Sequence, residues 1–515
     1  MLRQVKTENG WVRGIEAADP RITAFKGIPF AAPPVGKNRW RAPQPCGSWE
    51  GVRDASRFAP ISMQWIPGLG DDIYCREWHV DPEIPMGEDC LYLNVWTNAK
   101  KADEKLPVLV WFFGGGLQCG YPAEMEFDGE RIARRGIVVV TVNYRVGALG
   151  FLTHPEITRE QPEAPANFGN LDQQAGLRWV QRNIAAFGGD PARVTIAGQS
   201  AGGGSVMSQL ACPANEGLFS HAVVMSAMIF DPYLRREVGR PERLADAEKK
   251  GEDFFAFLGV KTLEEARVMD AVTLQRSYEQ YMETHIPFFT VQDDRFCFGD
   301  PIALYRAGKC VDVTMMAGNT GTEFLNTIDA ADEAGLASEA SRIFGERAAE
   351  FLAFPESREK AGESGFAPVS GIECTVKGVF SDMAKTGRKG YCYCFDPDIP
   401  GWDHPGTFHS SDLWFWFETL AKCWRPFVGR HYDLARQMCD YFCNFIRSGD
   451  PNGKDLNGED LPAWAPWTDA APCAMRFTGS GAVAEWEALS PFKRFLSDRI
   501  LERIRSIPPE TASAG

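Results

Sequence analysis

Two stretches of the chain, Val108–Phe113 and Ile137–Val142, are almost wholly apolar and rich in β-branched residues. Their length and composition predict strands buried on both faces. The pattern changes over Asp172–Phe187, where Leu171, Ala175, Leu177, Trp179, Val180 and Ile184 fall at helical spacing and define one apolar stripe. Gly188-Gly189 predicts the stop of that helix, and Asp190-Pro191 leads into a further strand, Val194–Ala197. Strands alternating with helices predict an α/β fold with a mostly parallel sheet covered by helices on both faces. From about 235 to 360 the pattern becomes helical and charged, which predicts an insertion over one edge. No Pro/Gly/Ser-rich linker, low-complexity tract or internal repeat divides residues 1–515, so a single domain is expected, with a flexible tail at 508–515.

Composition narrows the function classes. With 44% hydrophobic and 24% charged residues the chain has the balance of a globular protein. Its 54 Lys and Arg against 69 Asp and Glu leave a net charge of −15. That excess of acid disfavours nucleic acid and anionic membranes as partners, because both are bound by clustered cations. No apolar run approaches the roughly 18 residues of a membrane helix. Met1–Gly10 lacks the apolar core of a secretory leader and no Asn-x-Ser/Thr occurs, so a cytoplasmic location is expected. The 14 cysteines show no Cys-x-x-Cys pair and no zinc-site spacing, and are expected to be reduced thiols with no metal role.

The chemistry is concentrated in Val194-Thr195-Ile196-Ala197-Gly198-Gln199-Ser200-Ala201-Gly202-Gly203-Gly204. An apolar strand runs into Gly-x-Ser-x-Gly, and Ser205–Leu210 continues as a helix. A sharp strand-to-helix turn lifts a serine hydroxyl above the sheet, and glycines on either side let backbone pass without a Cβ clash. Ser200 is therefore the candidate nucleophile, and the Ala201 N–H is aimed where an oxyanion would form. Gly114-Gly115-Gly116 follows the strand ending at Phe113 and exposes backbone N–H groups, so Gly115 and Gly116 are further candidate oxyanion donors. Of seven histidines, His404, His409 and His431 follow the candidate acid described next, and spacing alone does not separate His404 from His409.

The sequence closely resembles the type-B carboxylesterase/cholinesterase family of α/β-hydrolases. The resemblance rests on Phe25–Gly36, Gly87–Val95, Asn143-Tyr144-Arg145, Phe187–Pro191 and Asn444–Asn452, in family order and spanning the chain to about residue 490. It implies an α/β-hydrolase fold with helical insertions, a gorge-like active site and a triad in the order Ser, acid, His. Gly318–Glu323 resembles the family's Gly-x-Thr-x-x-Glu, which implies Glu323 as the acid, carried on the insertion. His409, followed by Asp412-Leu413 and an aromatic run, matches the family's base. The implied reaction needs no cofactor: Ser200 attacks an ester carbonyl, His409 moves the proton and Glu323 holds the imidazole. The chain is similar to bacterial para-nitrobenzyl esterases.

Several positions depart from the family pattern. Phe113 replaces the His before the glycine run, and Ala227 a Gly after Ser226. Gln199 replaces the Glu before the nucleophile, removing a charge that would favour a cationic choline ester. Ser62 replaces the Cys that secreted members pair with the equivalent of Cys90, which leaves Cys75 as an alternative partner for Cys90. Gln199, Phe113, Trp78, Phe288, Phe289, Trp414 and Phe417 are candidate pocket residues, alongside Phe415 and Trp416, and such a lining predicts small to medium apolar or aromatic esters. An interaction module without activity competes with this reading, but such members lose the serine or histidine kept here. An amidase or acyltransferase would use the same triad, and amide against ester analogues of one acyl group separate them.

Overall fold

Side-chain alternation along the predicted strands divides the core in two. Val108, Val110 and Phe112 join one layer of apolar side chains, while Leu109, Trp111 and Phe113 join the other. Val138, Val140 and Val142 are likewise separated from Val139. These runs read as continuously apolar because both faces of their sheet are covered. The computed structural model describes residues 1–233, 241–363 and 365–506. The main sheet has eleven strands, numbered here along the chain: β1 (Ile15–Glu16), β2 (Thr23–Pro29), β3 (Tyr92–Thr97), β4 (Leu106–Phe112), β5 (Val138–Val142), β6 (Gly189–Gln199), β7 (His221–Met225), β8 (Thr314–Thr320), β9 (Gly390–Asp396), β10 (Ala474–Thr478) and β11 (Gly481–Glu485).

Their order is β11-β10-β9-β8-β7-β6-β4-β5-β3-β2-β1. From β10 to β5 every neighbour is parallel, whereas β11 and the β3-β2-β1 side pair antiparallel. The expected mostly parallel sheet is thus a mixed one, with antiparallel strands at both edges. The parallel centre brings the carboxyl ends of β4, β6, β8 and β9 to one rim, where sites of open α/β sheets form. The predicted helix runs from Phe168 to Asn183 and tightens into a 3₁₀ turn, Ile184–Phe187, which ends at left-handed Gly188. No helix among the described residues is long and apolar enough to cross a membrane.

The family-like motifs away from the rim are struts. Asn143 donates to the Cys90 carbonyl at 2.9 Å, Tyr144 Oη to the Phe113 carbonyl at 2.7 Å, and Arg145 grips buried Asp172 through Nε and Nη2 at 2.8 and 2.7 Å. Glu88 pairs in the same bidentate way with Arg39, at 2.6 and 2.7 Å. Arg39 in turn donates to the carbonyls of Ala266 and Met269, tying the N-terminal segment to the helical region.

One expectation needs correction. The stretch 235–360 is not one insertion carrying the acid: β8 is an inner strand of the main sheet within it, and Glu323 follows β8 directly. The β8 core Met315-Met316-Ala317-Gly318 is short and flanked by helical, charged sequence, so its strand character was masked. Helices Leu244–Leu258, Leu263–Val268 and Ala271–Met282 lie before it, and a small three-stranded sheet with helices follows. Cys75 and Cys90 are both free: Cys75 Sγ lies 3.5 Å from Asp72 Oδ2, and the Cys90 thiol sits against the Ser62 hydroxyl. The expected tail at 508–515 lies outside the described residues.

Candidate active site

β6 delivers Ser200 to the rim, and the helix Ala201–Leu210 starts immediately after it. Ser200 has φ 56° and ψ −128°, a strained conformation for a residue with a Cβ. Its N–H donates to the Met225 carbonyl at 2.9 Å and its carbonyl accepts from Gly204 N–H at 2.9 Å, so strand and helix clamp the turn from both sides. Glycine is required here for close approach. A Cβ on Gly202 would run into the Phe112 and Phe113 carbonyls, and one on Gly114 would lie 3.1 Å from Ser200 Cβ. Gly203 faces Ala227, whose Cβ would be 2.6 Å from an added Cβ, so the extra methyl of Ala227 is accommodated by glycine opposite it.

The glycine run after β4 curls over the serine. Gly115 and Gly116 have φ 101° and 63°, and the Gly115 carbonyl accepts from the N–H groups of Gln118 and Cys119 at 2.9 and 3.1 Å. Among the described residues, none accepts a hydrogen bond from the N–H groups of Gly115, Gly116 or Ala201. An oxyanion site requires such unspent donors close to the nucleophile, and the glycine run approaches the serine at Gly114. Gln118 steadies this loop, donating through Nε2 to the carbonyls of Gly116 at 3.2 Å and Phe288 at 2.8 Å. Tyr278 Oη donates to Gln118 Oε1 at 2.8 Å and accepts from Phe288 N–H at 2.9 Å. The helical region therefore reaches the glycine run through Tyr278 and Gln118, a link absent from the sequence reading because nothing local marks it.

Glu323 and His409 meet although 86 residues separate them: Glu323 Oε2 contacts His409 Nδ1. The Glu323 side chain is fully buried and its Oε1 accepts from Thr320 N–H at 2.8 Å. The structure separates the two histidines that spacing could not. His404 is exposed and turns back only to the Gly401 carbonyl, while His409 is buried against the acid. His431 is engaged at both ring nitrogens, with the Val428 N–H and the Asp398 carbonyl. Contact with Glu323 places the Nδ1 proton, which leaves His409 Nε2 as an acceptor facing Gln199 Nε2 at 3.3 Å. Ser200 Oγ makes no hydrogen bond to His409 in this resting arrangement.

A further carboxyl lies behind the pair. Asp412 is fully buried, its Oδ2 accepting from Tyr393 Oη and Trp416 Nε1, both at 3.1 Å, while Oδ1 has no partner. Burial and the nearby Glu323 charge push it up to about 6.

Most of the expected pocket aromatics are core. Phe417 packs edge-on against Trp111 at 4.9 Å, Trp416 against Tyr393 at 5.1 Å and Phe415 against Phe395 at 4.8 Å, all fully buried. Trp414 is buried edge-on to Trp78, and Phe113 stacks on Tyr144 at 4.1 Å. Phe288 is buried among Phe254, Tyr278 and Tyr281, with only its carbonyl reaching the glycine run through Gln118. Trp78 stacks on Phe408, the neighbour of His409, and Phe289 is 43% exposed. Gln199 is hydrogen-bonded to the His409 ring. One site residue was missed: Phe324, next to Glu323, half exposed with its ring 4.2 Å from the His409 ring. A large apolar side chain directly after the acid was the available signal.

The Carboxylesterase family model matches residues 2–365 and 368–486. A fumonisin B1 esterase of Sphingopyxis macrogoltabida is 43% identical over 227 residues, a match spanning 44% of this chain and 40% of that protein. An acetylcholinesterase of Bungarus fasciatus is 30% identical over 521 residues, 91% of this chain and 82% of its own length. Among solved structures, Geobacillus stearothermophilus carboxylesterase EST55 superposes with a TM-score of 0.75 at 29% identity, covering 96% of this chain and 99% of its own. A PNB esterase superposes with a TM-score of 0.75 at 26% identity, covering 96% and 100%.

Proposed function

The chain belongs to the carboxylesterase family and is a carboxylic ester hydrolase, and we propose that it works through an acyl-enzyme on Ser200, with His409 as base and Glu323 as the acid that orients it. The observation that carries this reading is the buried Glu323–His409 pair, in which His409 Nε2 lies 3.3 Å from the side chain of Gln199, the residue directly before the positive-φ Ser200. Ser200 Oγ gives its proton to His409 Nε2, displacing the Gln199 amide, and attacks the ester carbonyl. Catalytic hydrogen bonds that are absent at rest commonly form once substrate is bound. The N–H groups of Gly115, Gly116 and Ala201 take the oxyanion; His409 protonates the departing alcohol and then activates water to release the acid. Each step uses groups of this chain and water.

The substrates are small to medium neutral esters with an apolar or aromatic part. Gln199 puts a neutral amide beside His409, and exposed apolar side chains lie close in sequence to Glu323, at Phe324 and Leu325, and beside Phe288, at Phe289. A cationic choline ester would find no carboxylate at position 199. The test is hydrolysis of para-nitrophenyl esters from acetate to decanoate by wild type and Ser200→Ala. Turnover by wild type with a loss of about 10⁴-fold or more in the variant is expected. Activity surviving Ser200→Ala, or a folded wild type that hydrolyses none of the series, overturns the assignment.

A further inference from the structure

Phe324 combines three properties that core packing does not explain. It directly follows Glu323, yet its side chain is 50% exposed where the acid's is fully buried. It holds φ at +42°, a left-handed conformation that a bulky side chain rarely adopts. Its ring centroid lies 4.2 Å from that of His409, tilted by 43°. Strain of this kind persists where surrounding structure enforces it, and it clusters at functional sites. The two polar edges of the imidazole are already engaged, Nδ1 by Glu323 and Nε2 by Gln199. Phe324 therefore lies against the ring itself while half of its own surface stays exposed.

We infer that Phe324 is a specificity-determining residue that reads the alcohol half of the ester. The inference rests on the proposed triad and follows from where the two halves of a substrate must lie. The acyl carbonyl oxygen is bound by the N–H groups of Gly115, Gly116 and Ala201, which orients the acyl group away from the base. The alkoxy oxygen must come within hydrogen-bond reach of His409 Nε2, because that nitrogen protonates it. The first carbons of the alcohol then lie in van der Waals contact with the ring beside the imidazole. A half-exposed benzene face favours a flat aromatic alcohol, since aromatic pairs gain stability beyond the area they bury.

The experiment compares wild type, Phe324→Leu, Phe324→Ala and Phe324→Gly on two ester series. In one the acyl group stays acetate while the alcohol changes from ethyl to benzyl; in the other the alcohol stays ethyl while the acyl chain grows from acetate to hexanoate. Because kcat/KM includes the acylation step, it reports on the alcohol. The Ala and Gly variants are expected to lose on the order of tenfold in the benzyl-to-ethyl ratio, Leu less, with the acetate-to-hexanoate ratio unchanged. Phe324→Gly removes the strain along with the ring, so its Tm is expected not to fall below that of Phe324→Ala. An equal loss on every alcohol, a shift confined to the acyl series, or no change in either ratio overturns the inference. In each of those cases a wild type that still requires Ser200 leaves the triad reading standing. A wild type inactive on both series, or indifferent to Ser200→Ala, overturns the triad reading and this inference with it.

Discussion

The strand ends of the main sheet and the helical region before β8 both border the active site, but they act on it differently. Ser200, Glu323 and the glycine run leave β6, β8 and β4 within a few residues, so parallel backbone sets where they emerge. Helices Leu244–Leu258 and Ala271–Met282 pack their own aromatic cluster of Phe254, Tyr278, Tyr281 and Phe288. They reach the glycine run through Gln118, which accepts from the Tyr278 hydroxyl and donates to the Phe288 carbonyl. The lesson is that the candidate catalytic groups stand on backbone geometry, and the helical region braces it.

Changes at the strand ends should cost most. Glu323→Gln keeps the side-chain shape but removes the charge that orients and balances His409, and kcat is expected to fall by about 10⁴-fold. Steady-state kinetics on a para-nitrophenyl ester reads this directly. Asp412→Asn addresses the buried carboxyl behind the pair. Its folded value of about 6 lies above the ordinary 3.8, so the native state binds that proton more tightly than the unfolded chain. Stability must then fall as pH rises from about 4 to about 6, with the penalty complete above that window and of the order of 3 kcal/mol. Asn still offers an acceptor to Tyr393 and Trp416 and carries no charge. Its Tm should exceed that of wild type above pH 6, and the gain should vanish below pH 4. A gain that is the same at every pH would mean that charge is not the cause.

Gly202→Ala forces a methyl into the Phe112 and Phe113 carbonyls beneath the serine turn. Urea unfolding is expected to show a loss of about 1–3 kcal/mol, with activity falling in the fraction that remains folded. Tyr278→Phe is the smallest and the sharpest test of the contrast. It strands Gln118 Oε1 without its donor and loosens the glycine run, which should lower kcat about tenfold with little change in Tm. A loss as large as that of Glu323→Gln would break the comparison, by making the helical region part of the catalytic machinery.

Legibility followed the range of the interactions. The serine turn was readable because its strand, its glycines and its helix lie within a dozen or so consecutive residues, each constrained by local sterics. The aromatic run Trp414–Phe417 was misleading for a related reason: composition shows four large rings but not which side of the chain meets the sheet, and the structure buries all of them. β8 was hidden because a short inner strand carries too little pattern to stand out from the charged helices around it. Phe324 was overlooked beside Glu323, since exposure cannot be read from residue type.

By itself the sequence determined the alternation of strands and helices, the two-faced core and the strand-to-helix turn that presents Ser200, all consequences of side-chain period and backbone sterics between near neighbours. The tertiary structure decided that Glu323 contacts His409 and not His404, which spacing by itself left open, that the Gln199 amide faces His409 Nε2, and that Tyr278 braces the glycine run. Those pairings join residues 86, 210 and 160 positions apart. Contacts of that span depend on how the whole sheet stacks its strands, and no local pattern encodes them.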